Sequence, residues 1–338
     1  MNKKQITFHS FSKILVLIAT LFVMGCNNSK STFEELPVEE QLKVLNINIE
    51  NHPKDASLYA TRGDILLQLN RVNEAINDYK QASDLEPKNE SYQMKLGDAY
   101  FANGDVEHSY QTFETVISHN QDNTEAYLKL GEIAFYSRDY DRAIENLGKV
   151  TTKDPDNRTA LFMKGFICKE TGDTTDAVRY LRKVCDLYPD YEPAFEELGT
   201  LYAIHQNPLA EEYLSTALKL EPKNINAMYS LAMYYQDKQN MDAAEQFYDR
   251  ILEIDPNHPD AWHNKGWIEL FYYGDYDLAI EYFTHAVTAN NQFVEAYTNK
   301  GCAYELKGDL NNAKICFQTA LNIDPNFQPA IKGLGRVR

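Results

Sequence analysis

The stretch LNIDPN, residues 321–326, places an apolar residue, an acid, a proline and an asparagine in a row. The phrase returns as LEPKN at 85–89, KDPDN at 153–157, LEPKN at 220–224 and EIDPN at 253–257. Successive gaps between Pro53, Pro87, Pro155, Pro189, Pro222, Pro256 and Pro325 are 34, 68, 34, 33, 34 and 69 residues. Each gap is one or two units of ~34 residues, and a period of that size marks a stacked repeat architecture. Proline disfavours helix in the residue before it, so the phrase punctuates the array: one helix stops there before the next repeat begins.

Eight units start at Ala56, Glu90, Thr124, Arg158, Glu192, Ile225, Pro259 and Val294. Position 8 is Gly63, Gly97, Gly131, Gly165, Gly199, Ala232, Gly266 and Gly301. Position 20, with a one-residue shift in the fifth and seventh units, is Ala75, Ser109, Ala143, Ala177, Ala210, Ala244, Ala279 and Ala313. Four residues later stand Tyr79, Phe113, Leu147, Leu181, Leu214, Tyr248, Phe283 and Phe317. Each unit carries two helical patterns, each too short to be stable alone. Gly104-Asp105, Gly172-Asp173, Gly274-Asp275 and Gly308-Asp309 divide them. Glycine can end the first helix in the left-handed conformation, and Asp can cap the second. Small residues at positions 8 and 20 let the paired helices approach, and the large residue at 24 fills the adjoining space.

This pattern resembles the tetratricopeptide repeat across residues 56–327. The resemblance implies an all-α fold: a right-handed α-solenoid of about eight helix pairs with one long concave groove. Val38 to Asn51 reads as a lone second helix covering the first repeat. Gln328 to Arg338 reads as a short capping first helix, with Gly335 at position 8 and Lys332, Arg336 and Arg338 set against its negative end.

The first residues read as a targeting segment. Lys3, Lys4 and Lys13 precede or flank an apolar run of eleven residues from Ile14 to Met24, about half of the ~20 that span a membrane. The run ends in Val23-Met24-Gly25-Cys26, which resembles a bacterial lipoprotein signal, with Met24 its bulkier departure. The resemblance implies a signal peptide over 1–25, an acylated Cys26 such as a palmitate-bearing one, a polar tether over 26–36 and the repeat array over 37–338. Several acyl chains on one cysteine exceed the two-signal threshold for stable anchoring. Residue 27 is Asn rather than the inner-membrane retention Asp, and no acidic run directly follows Cys26. The expected location is therefore the outer membrane facing the periplasm, with the inner membrane or cell surface as alternatives.

The chain holds 33 Lys and Arg against 50 Asp and Glu, a formal charge of -17. Nucleic-acid binding and adhesion to anionic lipid through a basic surface both need the opposite balance. No catalytic or metal motif emerges. GLGRVR at 333–338 lacks the strand and third glycine of a phosphate loop, and His258 with His263 straddles a linker and a helix start. Cys168 and Cys185 fall at packing positions and read as buried free thiols, while a Cys302–Cys316 bond is left open. No enzyme activity, cofactor or metal is expected.

Surface remains. In tetratricopeptide proteins, first-helix positions 2, 5, 9, 12 and 13 line the groove, and a carboxylate clamp there uses Lys and Asn. Position 9 here reads Asp64, Asp98, Glu132, Phe166, Thr200, Met233, Trp267 and Cys302, so the clamp is missing. An acidic ladder of Asp64, Asp98 and Glu132 gives way to an apolar stretch of Phe101, Phe135, Tyr136, Phe162, Phe166, Tyr229, Met233, Trp267 and Phe271. The competing reading of these nine is burial between neighbouring first helices. The expected function is a lipid-anchored periplasmic scaffold whose groove binds a peptide or helix with apolar anchors and basic residues. Envelope assembly, secretion and cell-wall remodelling are the settings the resemblance offers. The alternative is a self-associating structural lipoprotein without a groove ligand.

Overall fold

A computed structural model describes residues 33–337 of the chain, so the signal segment and Cys26 lie outside the described residues. Among the described residues every regular element is helical, and the chain divides after Lys153 into two compact units. In unit 1, α1 (Val38–Asn51) precedes the pairs α2 (Ala56–Gln68) and α3 (Val72–Leu85), α4 (Glu90–Ala102) and α5 (Val106–His119), and α6 (Thr124–Tyr136) and α7 (Tyr140–Lys153). Unit 2 holds α8 (Arg158–Glu170) with α9 (Thr174–Leu187), α10 (Glu192–Ile204) with α11 (Leu209–Leu220), and α12 (Ile225–Asp237) with α13 (Met241–Ile254). It continues with α14 (Pro259–Ile268) and α15 (Tyr276–Ala289), α16 (Val294–Lys307) and α17 (Leu310–Ile323), and ends on α18 (Gln328–Arg336). Each unit is thus a stack of helix pairs, the α-solenoid arrangement expected from the repeat.

The punctuating phrase does more than end a helix. In the copies ending at Asn89, Asn157 and Asn224 its asparagine is the N-cap of the next first helix: Asn157 Oδ1 accepts from the Ala160 N–H at 3.0 Å, and Asn224 Oδ1 from Ala227 N–H at 2.9 Å. After Asn257 and Asn326 the cap passes to His258 and Phe327. Its acid closes the turn, as when Asp324 Oδ1 accepts from the Asn326 N–H at 2.9 Å. Within each pair, Asp105, Asp173, Asp275 and Asp309 cap the second helices through their carboxylates.

Position 15, or 16 in the seventh unit with its extra residue, takes a positive φ in all eight repeats. Four are the glycines 104, 172, 274 and 308; the others are Asn70, Arg138, Gln206 and Gln239 at φ 55° to 58°. The geometry belongs to the turn, and glycine only relieves the strain that an L side chain accepts there.

The helix pairs close on position 8. A methyl group on Gly97 would stand 2.6 Å from Phe113 Cε1, and one on Gly301 2.7 Å from Phe317 Cε1. Where position 20 is Ser109 rather than alanine, its buried hydroxyl donates to the Gly97 carbonyl at 2.8 Å. In α18 Gly335 makes no such approach; Gly333 instead meets the Phe317 ring. Arg336 closes the cap with two bonds to Glu305 at 2.6 and 2.7 Å. At the N-terminus α1 buries Leu42, Val44, Leu45 and Ile49, covering the first repeat as expected.

The two irregular units resolve physically. In the fifth, α11 starts one residue late, at Leu209 after Pro208. In the seventh, the extra residue is absorbed as a π-helical turn over Glu269–Tyr273, ending on Gly274 at φ 75°. Leu270 keeps the buried place against Ala279, Phe283 and Ala303.

Candidate functional site

Successive first helices lie side by side within each unit, so position 9 of one repeat faces the next. In unit 1 this brings lysines into the acidic ladder. Asp64 accepts a 2.7 Å bond from the Tyr79 hydroxyl and pairs with Lys95 from the neighbouring α4. Asp98 pairs with Lys129 of α6 at 3.1 Å, and Lys129 reaches Glu132 at 3.5 Å. Burial works against the Lys129 ammonium, but Asp98 and Glu132 outweigh it and raise its pKa. Burial, then the Asp64 carboxylate, pushes the Tyr79 phenol up. The three acids are therefore not the bare ladder expected from position 9 alone. The missed signal is Lys95 and Lys129, one turn before position 9 in two consecutive first helices.

Unit 1 also gathers aromatic rings at the C-terminal ends of α4 and α6. Phe101 and Tyr136 have centroids 5.9 Å apart, and Phe135 meets Tyr136 edge-on at 5.6 Å. Phe101 is half-buried against the core of Met94, Phe113 and Leu130, whereas Tyr136 is 69% exposed.

In unit 2 the first-helix residues sort into two groups. Tyr229 and Met233, both half-buried, share hydrogen bonds with Asn264. The buried Asn264 amide donates to the Tyr229 hydroxyl at 3.0 Å, to Met233 Sδ at 3.3 Å and to the Tyr248 hydroxyl at 3.1 Å. Its carbonyl lies 3.1 Å from His263 Nδ1, and His263 Nε2 lies 3.0 Å from the Asn299 amide. A neutral imidazole protonated on Nδ1 satisfies both contacts, and burial, which lowers the His263 pKa, favours that neutral form. Tyr229 and Met233, half-buried like Phe162 and Phe166, thus join a hydrogen-bond network that the helical period alone did not reveal.

The other group lies on α8 and on α14 with its π turn. Phe162 is half-buried, edge-on to Tyr191 at 5.3 Å, and Phe166 carries the Lys169 ammonium over its ring at 4.6 Å. Trp267 stacks obliquely on Phe271 at 5.3 Å, and Phe271 is 52% exposed. The π turn adds Tyr272 and Tyr273, 53% and 47% exposed, which sequence reasoning missed. Their signal was the one-residue insertion itself, whose geometry a helical repeat does not specify. Between these rings Thr200 and Ser230 bridge neighbouring first helices at 3.0 Å.

Potential ligand sets are already committed. Cys168, Asp173 and Asp176 bring donor atoms within 4.8 Å, but Asp173 caps the Asp176 N–H and Asp176 holds Arg179 at 2.7 Å. His258 Nδ1 caps α14 by accepting from Ala261 N–H at 3.2 Å. Cys168, Cys185, Cys302 and Cys316 are all unbonded thiols; Cys185 is buried as expected and Cys168 only half-buried. No helix among the described residues is long and apolar enough to cross a membrane.

Three family models match parts of the chain. They are the Cytochrome c-type biogenesis protein H TPR domain over residues 27–152, Tetratricopeptide repeat over 128–192, and the Tetratricopeptide repeat protein 21 N-terminal ARM repeat over 209–333. The chain is 31% identical over 107 residues to a TPR repeat-containing protein of Methanocaldococcus jannaschii, covering 31% of this chain and 33% of that one. It is 26% identical over 97 residues to the mitochondrial import receptor subunit TOM70 of Homo sapiens, covering 29% of this chain and 16% of the receptor. The matched stretches thus span well under two thirds of these relatives. A tetratricopeptide repeat protein from Parabacteroides merdae aligns with a TM-score of 0.56 at 17% identity, covering 73% of this chain and 98% of that one. The Cut9–Hcn1 hetero-tetramer aligns at 0.55 and 18% identity, covering 88% of this chain and 58% of that one. Sequence models and solved structures agree on the architecture: the stacked pairs are tetratricopeptide repeats, a fold typical of protein-interaction scaffolds.

Proposed function

We propose that this tetratricopeptide solenoid is a lipid-anchored adaptor, held at the outer membrane through Cys26 and facing the periplasm. There it docks a segment of a partner protein within an envelope assembly, secretion or cell-wall machine. The observation that carries the docking reading is a set of partly accessible aromatic rings on α8, and on α14 with its π turn, in unit 2. Phe162, Phe166 and Trp267 are only half-buried and Phe271 is exposed, although each helix pair has its own filled core. Apolar side chains left accessible commonly mark an interaction surface. The anchor reading rests on Val23-Met24-Gly25-Cys26 after a short apolar run.

Crosslinking in intact envelopes tests the docking. Phe162→Ala with Phe166→Ala and Phe271→Ala should cut partner recovery at least tenfold while circular dichroism stays unchanged, because buried aromatic anchors commonly contribute ~2 kcal/mol or more. Undiminished recovery from the triple variant removes this face from the proposal. For the anchor, Cys26→Ser should move the protein from the membrane pellet to the soluble fraction or leave it unprocessed. Equal pelleting of both forms after a high-salt wash rejects lipidation.

A further inference from the structure

The polar tether expected over 26–36 is shortened by the fold. Phe33 packs, half-buried, against the first-repeat core of Leu42, Leu45, Ile65 and Leu66. The Leu36 N–H donates to the Phe33 carbonyl at 3.1 Å, and the Gln41 amide donates to the Leu36 carbonyl at 2.8 Å. Residues 33–36 are therefore bonded to one another and to α1. That helix is in turn clamped to the first repeat. Arg62 of α2 donates to Asn46 of α1 at 2.8 Å and holds the buried Asp78 of α3 through two bonds at 2.7 and 2.6 Å. Phe33 is thus fixed to the body of unit 1, and six residues, 27–32, separate it from Cys26.

Covalent geometry bounds what that leaves. The seven Cα–Cα steps from Cys26 to Phe33 span at most ~25 Å when fully extended, at ~3.6 Å each. An acylated Cys26 sits at the membrane surface, so Phe33 lies within that distance of it. Lipid adds no attraction of its own. Residues 33–51 carry Glu34, Glu35, Glu39, Glu40 and Glu50 against Lys43 alone, a balance that anionic headgroups repel. The tether, not adhesion, sets the height of the first repeat. A short tether also selects among partners: it raises the effective concentration of a partner confined to the same surface and does nothing for one free in solution.

We infer that the first repeat of this chain is held against the membrane, with Phe33 within ~25 Å of the lipid surface, and that the partner the chain docks is a protein embedded in that same membrane. This placement deepens the adaptor reading and rests on the acylation of Cys26 proposed there. It follows from the docking of Phe33 and Leu36 onto α1: a tether that ran free to residue 36 would reach about half as far again, at ~3.6 Å per residue.

The test inserts ~40 Gly and Ser residues between Lys30 and Ser31 of the full chain, giving a coil that spans ~35–40 Å on average. A fluorophore placed at Glu39, exposed in the first turn of α1, reports energy transfer to acceptor-labelled headgroups. The purified acylated protein is measured in vesicles of phosphatidylethanolamine and phosphatidylglycerol. Transfer should be strong at the natural tether length and should fall in the insertion variant. In intact envelopes the same insertion should lower recovery of the crosslinked partner roughly tenfold, because effective concentration falls steeply with tether length. Pelleting and circular dichroism should stay unchanged. The recovered species should resist extraction by sodium carbonate, as an embedded protein does. Equal transfer at both lengths, recovery untouched by the insertion, or a crosslinked species that carbonate releases overturns the inference and leaves the anchor standing. A Cys26→Ser protein that pellets like the wild type instead removes the anchor, and this placement with it.

Discussion

Gly301→Ala adds one methyl group, and the structure determines what that methyl meets. It would stand 2.7 Å from Phe317 Cε1 and 2.9 Å from Cδ1, well inside van der Waals contact. Phe317 cannot swing aside, because it is fully buried and Gly333 of α18 already crowds the same Cδ1, Cε1 and Cζ atoms. Overpacking of this kind costs ~1–3 kcal/mol, against which alanine gains ~1 kcal/mol of helix propensity over glycine. Gly148, in the middle of α7, supplies the control: a methyl there meets nothing within 4 Å. Gly148→Ala should therefore stabilise its unit by ~0.5–1 kcal/mol. The propensity gain is common to both substitutions, so their difference isolates the clash at ~1–3 kcal/mol. Denaturant unfolding followed by circular dichroism gives the global values. Amide exchange in α16 to α18 shows whether the loss is local, as a nearest-neighbour array requires. Gly301→Leu should extend the loss and release the C-terminal cap. If Gly301→Ala stabilises the protein as much as Gly148→Ala does, position 8 is not the tight contact on which this packing argument rests.

Other consequences are equally direct. At position 15, Gly308→Ala should lose ~1–2 kcal/mol because φ is 88° there, whereas Gln239→Gly at φ 58° should gain up to ~1 kcal/mol; thermal melts of both decide it. Glu245 and Glu269 have folded pKa values raised by burial, so their favourable contribution is complete below the unfolded value and is lost as pH rises through the folded one. The melting midpoint of unit 2 should accordingly rise on acidification from neutral pH toward ~5, and the Glu245→Gln, Glu269→Gln double variant should flatten that rise. Burial pushes the Cys185 thiol to about 12 and the Cys316 thiol to about 11, so neither should react with iodoacetamide at mildly alkaline pH until the chain is denatured. Rapid labelling of either in the folded protein would contradict their packing.

The sequence by itself determined the period, the pairing of helices and the small-against-large contact at positions 8 and 24. These are local or nearest-neighbour properties, and a repeat writes them eight times over. It also marked α1 and α18 as covers for the ends, although it assigned the closing contact to Gly335 where Phe317 meets Gly333. The asparagine of the punctuating phrase was legible as a residue and not as a cap, because capping depends on where the next helix begins. The tertiary structure alone decided which surface residues are available. Asp64, Asp98 and Glu132 read as one acidic strip until neighbouring helices set Lys95 and Lys129 between them. Tyr229 and Met233 read as free apolar side chains until Asn264, one repeat further on, gave both a hydrogen-bond partner. A one-residue insertion in the seventh repeat was countable, but only packing chose a π turn as its outlet, burying Glu269 and lifting Tyr272 and Tyr273 to the surface. The physical reason is the same each time. Periodicity fixes which way a residue points from its own helix, while partners for charge and polar atoms come from the helix beside it.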